Sequence, residues 1–149
     1  MRLEAYDKAL ENALIAMHYI NKEKNADMYY FMQCNIGSLY TQKGNYNLAI
    51  SYLEDAREHF EQSGNIAEQI TMNILLAEAH EKAGNIAISD QLINRIDNDM
   101  IDKINNAELE SNVRTTLAEL FKEKTLYKKA YENLEIASVL KDSLQHAND

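Results

Sequence analysis

The side chains with reactive potential are few and far apart. Histidines stand at His18, His59, His80 and His146, and the single thiol is Cys34. Metal ligation asks for several such donors at fixed short spacings, and none of these residues stands at that spacing from another. A nucleophile needs a base within hydrogen-bond reach, and the same dispersal leaves Cys34 without one. A lone helical cysteine is more often a small hydrophobe than a reactive thiol, so Cys34 is assigned no chemistry. The carboxylates of Glu54, Asp55 and Glu58 read as a charged outer face whose role is solubility. Catalysis, metal centres and cofactors are therefore not expected, and the remaining task for the chain is to bind.

The elements that would position a binding face follow from composition. The 149 residues fit one ordinary domain or one short helical array. Proline and tryptophan are absent and glycine occurs four times (Gly37, Gly44, Gly64 and Gly84), which suits long helices joined by tight turns and gives strands little support. A formal net charge of -9 works against binding to a phosphate backbone, so nucleic acid is not expected as a direct partner. One cysteine closes no internal disulfide and no Asn-x-Ser/Thr sequon occurs, which points to a reducing, cytoplasmic setting. The opening MRLEAYDKAL carries acids where a signal peptide needs an apolar core. No apolar run approaches the roughly 18 residues that span a bilayer, so no membrane association is expected.

Punctuation is the most regular feature of the chain. Asn25, Asn45, Asn65, Asn85 and Asn105 fall twenty residues apart, and Gly44, Gly64 and Gly84 precede the middle three. Glycine and asparagine tolerate the left-handed backbone that ends a helix, and asparagine also caps the next helix. Each Gly-Asn pair therefore reads as a stop and a restart. Helical spacing of apolar residues predicts amphipathic helices over about 3–22, 26–43, 46–62, 66–83, 86–101, 107–124 and 126–144. Acids and asparagines weaken the period between Asp97 and Asn106, so a helix end is expected there. Thr125 stands where the next asparagine would fall.

Alternate helices match better than consecutive ones, which makes the true period about forty residues. Gln33-x2-Ile36-Gly37-x2-Tyr40 followed by Ala49-x3-Leu53 resembles the tetratricopeptide signature W-x2-L-G-x2-Y, then A-x3-F. Asn73-x2-Leu76-Ala77-x2-His80 with Ser89-x3-Ile93 is a second copy, and Arg114-x2-Leu117-Ala118-x2-Phe121 with Ala130-x3-Leu134 a third. His80 thus stands at the family's aromatic position and is expected to pack in the core. Tyr6, Ala9, Ala13 and Ala16 repeat the second-helix half, so the chain begins in mid-repeat. The leading tryptophan is replaced by Gln33, Asn73 and Arg114 and the closing proline is missing, as in the longer-repeat variety found in bacterial signalling regulators. The resemblance implies an all-α fold: a right-handed α-α superhelix of about seven antiparallel helices, three pairs plus one leading unpaired helix. Its divisions would be a half repeat at 3–24 and repeats at 26–64, 65–104 and 105–145, in one domain spanning 1–149. Small residues at Gly37, Ala77 and Ala118, and at Ala9, Ala49, Ser89 and Ala130, would let paired backbones approach closely.

In this family the first helix of each pair lines the inner wall, where ligands bind. The matching faces are Phe31, Cys34, Asn35, Ser38 and Thr41, then Thr71, Ile74, Leu75, Glu78 and Glu81, then Asn112, Thr115, Thr116, Glu119 and Lys122. Phe31, Cys34 and Ile74 would form an apolar patch beside an acidic row of Glu78 and Glu119. The implied partner is a protein or extended peptide with apolar and basic side chains. The alternative reading of the same residues is a set of solvated helix faces, with Phe31 and Ile74 in the core. The basic carboxylate clamp of chaperone-tail binders is absent, since its positions carry Cys34, Ser38, Leu75, Asn112 and Thr116. The unpaired opening helix and the closing LEIASVLKDSLQHAND resemble a segment excised from a longer signalling protein. The expected function is thus a non-enzymatic interaction module of a bacterial regulator, and the alternative is a scaffold that self-associates through the first helix.

Overall fold

The computed structural model describes residues 2–148, which form eight helices and no strand. They are α1 (Arg2–Tyr19), α2 (Ala26–Lys43), α3 (Tyr46–Ser63), α4 (Ile66–Lys82), α5 (Ile86–Asn94), α6 (Asn98–Asp102), α7 (Ala107–Glu123) and α8 (Tyr127–Asn148). The all-α class is as the sequence predicts. One helix is not: the stretch expected to run from 86 to 101 is broken into α5 and α6. Asp97 causes the restart, because its carboxylate accepts the Met100 amide at 2.8 Å and caps α6.

The helices cluster into two compact units that divide between Arg95 and Ile96. In the first, α1 to α5 pack in chain order, each on the next, and α2 also meets α4. Its interior is built from Ile36 on α2, Leu53, Ala56 and Phe60 on α3, and Ile70, Met72 and Leu76 on α4, none of which is exposed. In the second, α7 lies along α8 and α6 packs on α7. Leu117, Ala118, Phe121, Ala130 and Ala137 are its buried apolar residues along the α7–α8 contact.

The turns share one hydrogen-bond plan. Gly44, Gly64 and Gly84 have φ of 86°, 73° and 89°, the left-handed conformation that closes a helix. The residue after each sends its amide back five positions: Asn45 to the Tyr40 carbonyl (2.9 Å), Asn65 to Phe60 (3.1 Å) and Asn85 to His80 (2.8 Å). The carbonyls of the same asparagines accept the first helical bonds of the next helix, from Ala49, Gln69 and Ser89. One residue therefore ends one helix and begins another through its backbone alone. Side-chain capping, expected at each asparagine, occurs at Asn65, whose Oδ1 accepts the Glu68 amide, and is absent at Asn25, Asn45 and Asn85. Thr125 and Leu126 reproduce the backbone plan without glycine or asparagine, Thr125 at φ 61° and Leu126 bonding Phe121 at 2.8 Å. Asn105 takes the left-handed role at φ 48°, and the cap moves to Asn106, which accepts the Leu109 amide at 2.9 Å.

Close approach is observed where the repeat predicts it. A Cβ built on Gly37 would lie 2.7 Å from Leu53 Cγ and 3.2 Å from the Ala49 carbonyl, so glycine is what allows α2 to press on α3. Gln33, Asn73 and Arg114, which take matching places in α2, α4 and α7, are all buried, at 6%, 6% and 4% exposure. Gln33 donates to Asp55 at 3.2 Å, while its own carbonyl oxygen and that of Asn73 find no partner among the described residues.

Candidate functional site

The face expected to bind divides between the two units, and within the first it lies on α2 and α4. Along α2 the exposed row runs Met28, Phe31, Asn35 and Gln42, with Ser38 half-buried within it. This is the i, i+3, i+7, i+10, i+14 progression of one helix stripe. Phe31 is 40% exposed and its inner edge leans on Phe60, ring centroids 5.1 Å apart. Met28, 57% exposed, stands beside it, and the two wall an open depression of about 630 Å³ with Glu23 and Asp27.

Three of the expected wall residues are core instead. Cys34 is buried, and loss of hydration together with the nearby Glu68 carboxylate pushes its thiol up to about 12. Thr41 is buried with its hydroxyl bonded to the Gly37 carbonyl at 3.1 Å, and Ile74 is buried on α4. The physical reason is rotation. At about 100° per residue, positions 34 and 41 lie about 60° around the helix from 31 and 38, and that rotation carries them from the exposed side into the packed interior. Phe31 keeps to the solvent side.

On α4, Thr71, Leu75, Glu78 and Glu81 are half-buried. The Thr71 hydroxyl is spent on the Ala67 carbonyl at 3.0 Å. Glu78 is held from both helices, by Gln42 of α2 at 3.4 Å and by Lys82 of α4 at 3.0 Å. Glu68, which the repeat pattern did not single out, adds a second acid to this face. Burial first, and the Asp27 carboxylate second, raise its pKa above the ordinary glutamate value. The α2–α4 face therefore joins an apolar edge, Met28 and Phe31, to an acidic side made by Asp27, Glu68 and Glu78. Glu68 was legible as the fourth residue of the Asn65-x-x-Glu68 capping pattern, but its nearness to Asp27 depends on α2 and α4 lying side by side.

In the second unit, Asn112, Thr116, Glu119 and Lys122 are exposed along α7. Thr115 is half-buried and bonded to the Ser111 carbonyl at 2.9 Å. These residues form a row of their own on α7.

The histidines lie on α1, α3, α4 and α8. His59 stacks on Tyr30 with centroids 4.2 Å apart and meets Asp27 at 2.7 Å, and His80 is half-buried, its ring 3.4 Å from the Asn85 amide. Among the described residues no group of three or more His, Cys, Asp or Glu is placed to hold a metal ion, and no helix is long and apolar enough to cross a membrane.

Comparison with protein-family models, with curated proteins and with solved structures finds no match to this chain.

Proposed function

We infer that the chain is a non-enzymatic module, built on tetratricopeptide-like repeats, that binds a peptide or protein segment along α2 and α4. Its setting would be the cytoplasmic sensory or partner-binding part of a bacterial signalling or transcriptional regulator. The observation that supports this is the pairing, on one face, of exposed Met28 and Phe31 with Asp27, Glu68 and Glu78. Large apolar side chains rimmed by charge are the usual composition of an interaction site. The matching occupant carries an apolar anchor for Phe31 and a Lys or Arg for the acids. Peptides selected for binding from a library should lose about tenfold or more in affinity to Phe31→Ala and to Glu78→Lys, about 1.4 kcal/mol per tenfold. Selected peptides that bind both variants as tightly as the parent would sink the proposal. Glu119→Lys, on the second unit, asks separately whether α7 takes part.

A second reading is favoured by α1, which buries only Leu10 while Leu3, Ile15 and Tyr19 stay 51% exposed or more. That surface suits self-association. A concentration-independent monomer in sedimentation would exclude it.

A further inference from the structure

The second unit carries a half-open cavity that the α2–α4 face does not use. Its volume is about 250 Å³, and α6, α7, α8 and the turn before α6 supply its walls. Its apolar side is made by Ile101, Leu117, Phe121 and Ile136. Its polar side is Arg114, whose side chain is 5% exposed.

Three acceptors hold this guanidinium, one from each helix. Nε donates to Glu110 at 2.9 Å, and Nη1 donates to the side-chain oxygens of Asn98 at 3.3 Å and Asn133 at 3.2 Å. Of the five N–H groups of arginine, these bonds use three. The two on Nη2 have no acceptor among the described residues. Nη2 is not among the buried side-chain atoms that lack a partner, so it is reached by solvent and is open to an acceptor entering the cavity. A second cation, Lys129, lines the same cavity, with its ammonium 5.6 Å from the Phe121 ring centroid. Asp97 also lines the cavity, but one of its oxygens is committed to the α6 cap. Glu132 is the remaining acid in the wall.

We propose that this cavity binds a small carboxylate with a branched apolar body, its oxygens on Arg114 and Lys129 and its hydrocarbon against Leu117, Phe121 and Ile136. A water occupies about 30 Å³, so the cavity is too large to be explained by one. It is smaller than the roughly 300–1,000 Å³ that hold a drug-sized ligand, which sets the size at a single aliphatic amino acid or a short branched acid. These two sources share the carboxylate and differ at Glu132, which would pair with the ammonium of an amino acid and oppose nothing in a simple acid.

The probes are 4-methylpentanoate, leucine and the uncharged 4-methylpentanamide, titrated into the full chain by calorimetry and by amide chemical shifts. Binding of one or both carboxylates is expected with Kd on the order of 1 mM, and shifts should concentrate on α6, α7 and α8. The amide should bind about tenfold more weakly or worse. Lys129→Glu and Ile136→Trp alter exposed positions and leave the buried core in place, and each should reduce binding about tenfold or more. Tighter binding of leucine assigns the site to amino acids, and tighter binding of 4-methylpentanoate to simple acids. No shifts with either carboxylate, equal affinity for the amide, or unchanged affinity in both variants would overturn the proposal. Because the site lies in the second unit, its failure and that of the α2–α4 face are separate results.

Discussion

Cys34 shows how far a single residue's chemistry is set by its surroundings. A thiol attacks as the thiolate, and burial holds Cys34 at about 12, far above neutral pH. Native protein should therefore react slowly with Ellman's reagent and at the ordinary rate once unfolded in guanidinium, a difference read directly by absorbance. Glu68 is raised for the same first reason. An acid whose pKa is higher folded than unfolded binds more protons in the native state between the two values, so its contribution to stability falls as pH rises through that window. Glu68→Gln keeps the shape and removes the charge. Its melting temperature should exceed that of the parent at pH 7, and the difference should shrink as the pH is lowered toward and below the ordinary glutamate range. Glycines separate two further effects. Gly44 has open space around its missing Cβ and a positive φ, so Gly44→Ala should cost about 1 kcal/mol through backbone strain alone. Gly37 has ordinary backbone and no space, and Gly37→Val should cost about 1 to 3 kcal/mol by overpacking against Leu53. Negligible losses at both positions in denaturant unfolding would contradict these assignments.

The helix junction is the element that the chain repeats. Its requirements are a left-handed residue, then one whose amide closes the old helix and whose carbonyl opens the new. Asparagine fills the second place three times, at Asn45, Asn65 and Asn85, yet Leu126 fills it as well, because only backbone atoms are required. The first place is more demanding. Thr125 occupies it at φ 61°, where a β-branched side chain crowds its own backbone. Thr125→Gly should relieve that strain and raise the stability of the α7–α8 junction by about 1 kcal/mol, after the added flexibility of the unfolded chain is subtracted. Chemical denaturation followed by helical circular dichroism measures it. A loss of stability would mean that the junction does not hold Thr125 in this conformation. The split of α5 from α6 has a different origin. No glycine marks it, and the signal lies in Asp97, a strong N-cap residue three positions before Met100, within a stretch whose apolar period had already weakened.

At the scale of the molecule, the charge of -9 gives any basic partner an electrostatic advantage that salt should erode. The screening length falls from about 10 Å at 0.1 M to about 3 Å at 1 M salt. The affinity of a basic, apolar peptide for the α2–α4 face should weaken several-fold on the order of that salt change, and Glu78→Lys should flatten the dependence. A salt-independent affinity would place the binding energy in the apolar edge alone. The sequence by itself determined the helices, the turns and the forty-residue spacing, because each follows from local rules: apolar residues at helical intervals, glycine where φ turns positive, and small residues where backbones meet. It also placed Phe31, Asn35 and Glu78 on a common side of their helices. Which neighbours face solvent was a tertiary decision. Cys34 and Thr41 differ from Phe31 and Ser38 by a fraction of a turn, and it is the packing of neighbouring helices that buries them and Ile74. The Asp27–Glu68 proximity and the open edge of Arg114 likewise arise between residues distant in the chain, where spacing along one helix carries no information about what lies across from it.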